Sequence, residues 1–177
     1  MNKFAPNISR TLLPSDEISR RVGELARQID DDYRDVDQLL LLGILRGAFI
    51  FLADLSRQLR THHVVDFMAL TSYKKDKSIG EVRILMDSRE SILNQHVLIV
   101  EDILDSGETL NHLYRTIQER GPASLRACVL VRKERETNLQ VPIDYVGFDI
   151  PDVWVVGYGL DYDNQYRTLP YVAELNN

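Results

Sequence analysis

Three carboxylates, Glu101, Asp102 and Asp105, stand together directly after the apolar run Val97-Leu98-Ile99-Val100. Ser106, Gly107, Glu108 and Thr109 follow, and Leu110 opens a helical pattern. Like charges gathered at the end of a buried strand repel one another, so they need a cation or ligand hydroxyls to compensate them. Two hydroxyls, a glycine that lets the backbone come close, and the unpaired N–H groups of a helix start suit a phosphate. Strand, acidic turn, small-residue loop and helix N-terminus, in that order, build a site for a phosphorylated ligand. A plain helix cap accounts for Ser106 and Gly107 but leaves Glu101 and Asp102 unexplained.

The elements around this segment follow from periodicity. Pro14-Ser15-Asp16 predicts a helix start with Ser15 as N-cap, and Ile18, Val22, Leu25 and Ile29 then share one face. That helix is expected to stop at Asp30-Asp31-Asp32, read as a solvated turn. Residues 39–44 are continuously apolar and predict a buried parallel strand. Beyond Leu45-Arg46-Gly47, the residues Ala48, Phe49, Phe51, Leu52, Leu55 and Leu59 recur at helical spacing. Residues 64–70 predict a strand, whereas 71–83 are polar, lysine-rich and aperiodic, and read as a mobile loop. After the strand at 97–100, Leu110, Leu113, Tyr114 and Ile117 form a helix face that Gly121-Pro122 terminates. Short strands are expected at 125–131, 145–148 and 154–156. Strands alternating with helices predict an α/β fold with a mainly parallel sheet, and no repeat or linker divides residues 1–177, so one domain is expected.

Composition narrows the function classes. A net charge of −6 argues against a general nucleic-acid surface, which would be basic. The longest apolar run, residues 39–45, falls far short of the roughly 20 residues that span a bilayer. The N-terminal residues lack the apolar stretch of a signal peptide. Cys128 is the sole cysteine, so no intrachain disulfide forms, and a reducing cytoplasm is the expected compartment. Neither a GxxxxGK phosphate loop nor a GxGxxG dinucleotide turn occurs. Asp161-Tyr162-Asp163 opens like a calcium loop but lacks its glycine and terminal glutamate. His62, His63 and His112 have no cysteine or acid partner at metal-ligand spacing.

VLIVEDILDSGETL (97–110) resembles the phosphoribosyl-pyrophosphate (PRPP) motif of type I phosphoribosyltransferases. GILRGAFIFLADL (43–55) resembles the pyrophosphate-loop segment of the hypoxanthine (hypoxanthine-guanine) phosphoribosyltransferases, and Leu70-Thr71-Ser72-Tyr73 the start of their flexible catalytic loop. PDVWVVGYGLDYDNQYRTLPYV (151–172) is similar to their purine-binding block. The resemblance runs from about Leu12 to Leu175. It implies a mainly parallel central sheet flanked by helices, with a small hood built from N- and C-terminal segments. It also implies a reaction: a 6-oxopurine displaces pyrophosphate from PRPP to give IMP or GMP.

The resemblance further implies roles for individual residues. Glu101 and Asp102 would hold the ribose hydroxyls directly or through Mg²⁺, and Asp105 would manage the proton on purine N7. Ser106, Gly107, Glu108 and Thr109 would bind the 5′-phosphate, Glu108 through its backbone N–H only, since an acid in a phosphate loop departs from expectation. Arg46-Gly47 matches the place of a non-proline cis peptide against pyrophosphate, with Arg where the family often has Lys. Ser72, Tyr73 and Arg167 would also meet the pyrophosphate, and the segment from Ser72 to about Arg83 would close over the site. Asp161 matches a second Mg²⁺ site within the purine-binding segment, about 133–167. Lys133 falls where a lysine reads the 6-oxo group, although its neighbour Arg132 could serve. Trp154, in place of the family's Phe or Tyr, would stack on the purine, and the Val155 backbone would read the base edge. The partners implied are these small molecules and a second copy of the chain, as homodimer or homotetramer, with no nucleic acid or membrane. Two alternatives stay open: a xanthine or adenine specificity on the same fold, and a regulatory nucleic-acid-binding module.

Overall fold

The computed structural model describes residues 8–73 and 81–176. In chain order the elements are β1 (Ile8–Leu13), α1 (Ser15–Asp32), β2 (Leu39–Leu45), α2 (Phe49–Gln58), β3 (His63–Tyr73) and β4 (Glu81–Met86). They continue with β5 (His96–Leu104), α3 (Glu108–Gln118), β6 (Ser124–Lys133), β7 (Tyr145–Ile150), β8 (Val155–Val156) and β9 (Val172–Leu175). The main sheet has the order β4-β3-β2-β5-β6-β7, parallel throughout except for the antiparallel edge strand β4. A second sheet, β1-β9-β8, joins the two ends of the chain as a hood.

The leucine run of β2 is buried on both sides, which is why it lacks alternation. Leu39 and Leu41 pack with Ile18, Val22, Leu25 and Ile29 of α1 and with Phe51 and Leu55 of α2. Leu40 and Leu42 pack on the opposite side with Leu110, Leu113 and Ile117 of α3. One strand therefore anchors two cores. The faces read from periodicity are buried in α1 and α3, whereas in α2 Phe51, Leu52 and Leu55 are buried and Phe49, read with them, is exposed. The open edge at β7 is closed from α1, where Arg21 donates to the Gly147 and Val146 carbonyls at 2.9 and 2.7 Å.

Three local expectations are corrected. Pro14, not Ser15, occupies the N-cap position of α1, and no side chain caps that helix. Asp30 and Asp32 are not merely solvated. Asp30 Oδ1 accepts from the Thr61 backbone and hydroxyl, both at 2.9 Å, while Asp32 accepts from Tyr145 at 2.6 Å and pairs with Arg126. The expected loop over 71–83 is strand at both ends, with Thr71 opposite Arg83, Ser72 opposite Val82 and Tyr73 opposite Glu81. Residues 74–80, the middle of that predicted loop, lie outside the described residues.

Candidate functional site

The neighbouring strands β2 and β5 mark the reversal of strand order: β3 continues the sheet on one side and β6 on the other. Connections leaving such a pair diverge, and the crevice at their carboxyl ends is where open α/β sheets bind ligands. Arg46-Gly47 leaves β2 there, and Glu101 to Thr109 leaves β5. The cis peptide is Leu45–Arg46, one bond ahead of Arg46-Gly47. Backbone packing is close at this point. A Cβ on Gly47 would fall 1.5 Å from Asp102 Oδ2, and a Cβ on Gly159 would fall 1.9 Å from the Gly47 carbonyl oxygen. Asp102, Gly47 and Gly159 thus stack three separate segments against one another.

Glu101 and Asp102 behave as a unit. Burial, and then the charge of Asp102, push Glu101 well above the usual carboxylate range. Burial also raises Asp102, opposed by the Ile103 N–H at 2.9 Å from Oδ1 and by the Arg167 charge. Two carboxyls buried side by side favour uptake of a proton or a compensating ligand. Glu101 Oε2 is sealed from solvent and accepts no hydrogen bond among the described residues. A buried oxygen without a donor is costly, so this one points to a ligand.

The segment expected to meet a phosphate lies at the start of α3. Gly107 takes the N-cap position at φ 83° and no side chain caps the helix. Ser106 Oγ accepts only a long bond, 3.4 Å, from the Glu108 N–H. The first-turn N–H groups therefore keep capacity for an anion. Glu108 is exposed in that first turn. A second segment braces the turn: Asn111 donates to the Asn138 carbonyl and accepts from the Gln140 N–H, both at 2.8 Å, and the Ser106 carbonyl accepts from Asn138 at 3.3 Å.

On the other side Lys133 ends β6 with only 9% of its surface exposed. Its Nζ lies 5.7 Å from the centre of the Trp154 ring, 3.3 Å from Asp152 and 3.6 Å from Asp105 Oδ1. Arg132 faces elsewhere, forked onto its cross-strand neighbour Asp149 at 2.6 and 3.1 Å. Trp154 is no core residue: it is 62% exposed and meets Tyr162 edge-on at 6.4 Å. Val155 is buried in β8 opposite Glu174. Asp161 pairs with Arg167 at 2.6 Å, and Arg167 also donates to the Gly159 carbonyl at 2.6 Å. Arg46 is exposed, and Ser72 and Tyr73 lie on β3.

The phosphoribosyl transferase domain model matches residues 10–163. Hypoxanthine-guanine phosphoribosyltransferase of Dictyostelium discoideum is 48% identical over 163 residues, 90% of this chain and 91% of its own. Hypoxanthine phosphoribosyltransferase of Salmonella typhimurium is 46% identical over 93% of both chains. The chain belongs to the hypoxanthine-guanine phosphoribosyltransferase family. Solved structures agree. A Trypanosoma cruzi hypoxanthine phosphoribosyltransferase superposes with a TM-score of 0.91 at 40% identity, covering 98% of this chain and 94% of that one. A Bacillus anthracis hypoxanthine-guanine phosphoribosyltransferase does so at 0.89 and 34% identity, covering 97% and 99%.

Seen as a hypoxanthine-guanine phosphoribosyltransferase, the chain brings most of the implied residues to one crevice: Glu101, Asp102, Asp105 and the α3 start on one flank, and Lys133 and Trp154 on the other. Three neighbours of the site were not singled out in the linear sequence. Asn111 looks like a surface helix residue, while Arg135 and Asp152 fall within the purine-binding segment and block but sit in polar turns; each gains its partners only when distant segments meet. Gly159 was legible as part of the purine-binding block, but its contact with Gly47 was not.

Proposed function

We propose that this chain transfers the phosphoribosyl group of PRPP to N9 of a 6-oxopurine, hypoxanthine or guanine, releasing pyrophosphate and forming IMP or GMP. The observation that supports it best is the convergence of Asp105, Lys133 and the exposed Trp154 ring beside the Glu101–Asp102 pair. A purine lying on Trp154 would meet the Lys133 ammonium at its 6-oxo group. Adenine would bring a 6-amino donor to the same ammonium and leave both unpaired, which is costly in a buried site. Asp105 would take up the N7 proton as the N9–C1 bond forms. The ribose hydroxyls would satisfy the orphaned Glu101 oxygen and Asp102, whose negative charge faces a sugar that turns cationic as pyrophosphate leaves. The 5′-phosphate would sit on the first-turn N–H groups of α3 with Ser106 and Thr109. Arg46, Gly47, Ser72, Tyr73 and Arg167 would contact the pyrophosphate, and the Val155 backbone the base edge.

The donor set fits Mg²⁺. Among the described residues no three His, Cys, Asp or Glu side chains converge on a point. Magnesium asks for less, one or two carboxylates completed by water and phosphate oxygens. Glu101 and Asp102 would offer these on one side and Asp161 on the other. When bound, the metal would neutralise phosphate charge. We place the enzyme in the cytoplasm, as a single domain assembling as a homodimer or homotetramer.

Steady-state turnover with PRPP on hypoxanthine, guanine, xanthine and adenine tests the reading. Hypoxanthine or guanine is expected to lead, and adenine as best substrate would remove Lys133 from base selection. No turnover of any purine, with binding of RNA instead, would overturn the assignment as an enzyme.

A further inference from the structure

Four charges at the purine side form a closed set. Arg135 Nη1 donates to Asp105 Oδ1 at 2.9 Å, and Lys133 Nζ approaches that same oxygen at 3.6 Å. Asp152 Oδ1 meets both cations in turn, Lys133 at 3.3 Å and Arg135 at 3.6 Å. The cations come from β6 and the turn after it, Asp105 from the turn after β5, and Asp152 from the turn after β7. Two positive and two negative groups leave no net charge. The arrangement is asymmetric at Asp105: Oδ1 accepts from Arg135 and also faces Lys133, while Oδ2 accepts no hydrogen bond among the described residues. A charge-assisted hydrogen bond to one carboxylate oxygen restricts its rotation and leaves the second oxygen able to accept from a ligand. Asp152 draws on Lys133 at the shorter distance, which keeps the ammonium from settling on Asp105 as its only counter-ion.

We propose that Arg135 is a positioning residue: by holding Asp105 Oδ1, with Asp152 as its second anchor, it turns Oδ2 toward the proton of the incoming purine. The inference rests on Asp105 being the acid–base group. Arg135 acts through Asp105 and touches neither substrate nor the transferred group. Its contribution then appears in the chemical step, not in PRPP capture. Arg135 is exposed, so truncation leaves the core untouched.

The test is a double-mutant cycle read by steady-state kinetics. Arg135→Ala is expected to lower kcat about tenfold, the usual worth of one charge-assisted hydrogen bond, with KM for PRPP unchanged. Arg135→Lys is expected to restore part of the loss. In the Asp105→Asn background, Arg135→Ala is expected to cost nothing further. A full tenfold loss in that background, or a loss confined to the KM for PRPP, would overturn the proposal. The Asp105→Asn single variant reports separately on the role of Asp105: if its kcat stays at wild type, that assignment falls and the Arg135 inference with it.

Discussion

Lys133 faces one carboxylate oxygen of Asp105, and the proposed tasks of the two residues are separable. Replacing Asp105 by Asn keeps the shape but removes the basic oxygen. The expected loss in kcat is roughly 10²–10⁴, the common range for acid–base assistance, with a modest change in KM for PRPP. Single-turnover measurements with hypoxanthine check it, and an unchanged rate removes Asp105 from the proton transfer. Lys133→Gln tests selection instead. A glutamine amide can donate to a 6-oxo group or accept from a 6-amino group, so discrimination against adenine should shrink. We expect kcat/KM for hypoxanthine to drop about 10- to 100-fold, the worth of one hydrogen bond from a charged donor. Competition between hypoxanthine and adenine in one reaction reads the ratio directly.

Helix α3, the proposed phosphate site, starts without a side-chain cap, and its first turn is steadied by the segment around Asn138. Asn111 is the tie, giving one hydrogen bond and accepting another at 2.8 Å. Asn111→Ala should leave the apolar face of α3 intact, because Leu110, Leu113 and Ile117 keep their core contacts. The expected outcome is a stability loss of about 1–2 kcal/mol from two partly exposed hydrogen bonds, together with a several-fold rise in KM for PRPP. Denaturant titration and steady-state kinetics measure the two effects. A stability loss without any change in KM would mean that the brace does not reach the phosphate turn.

For the molecule as a whole, the Glu101–Asp102 pair links folding to pH. Both carboxyls lie above their ordinary range in the folded chain. Between the ordinary and the raised values the folded state holds more protons than the unfolded one. Stability from this pair is therefore full below the ordinary carboxylate range and falls as pH rises through the raised values. Asp66, Asp87, Asp149 and Glu24 are shifted down and act with the opposite sign, at the acid end only. Ligand-free, metal-free protein should thus melt at a higher temperature near about pH 5 than near about pH 8. Glu101→Gln should flatten that slope and raise the melting temperature at neutral pH, while weakening PRPP binding. A slope identical to wild type would show that the pair does not carry the dependence. Substrate hydroxyls and metal would reclaim this cost on binding, so the site is destabilised where it works.

Much of this was open to reading along the chain because the pieces are contiguous. The segment 97–110 is strand, acidic turn and helix start in one stretch, and local patterning suffices to recognise it. Leu39 to Ile44 announced a strand buried on both sides by composition alone. Where function depends on separate turns meeting, linear order was silent. Arg132 and Lys133 are adjacent and equally cationic. Pairing of β6 with β7 sets Arg132 against Asp149 and leaves Lys133 beside Asp105, Asp152 and Trp154. The polar stretch after Leu70 hid the ends of two strands, because β3 and β4 pair there through backbone hydrogen bonds that leave no apolar period in the sequence. Arg135 looked like one charge among several in a turn, and its pairing with Asp105 exists only because parallel strands end at the same side of the sheet. The type of chemistry is written in neighbouring residues, whereas the orientation of each charge depends on which strands lie side by side.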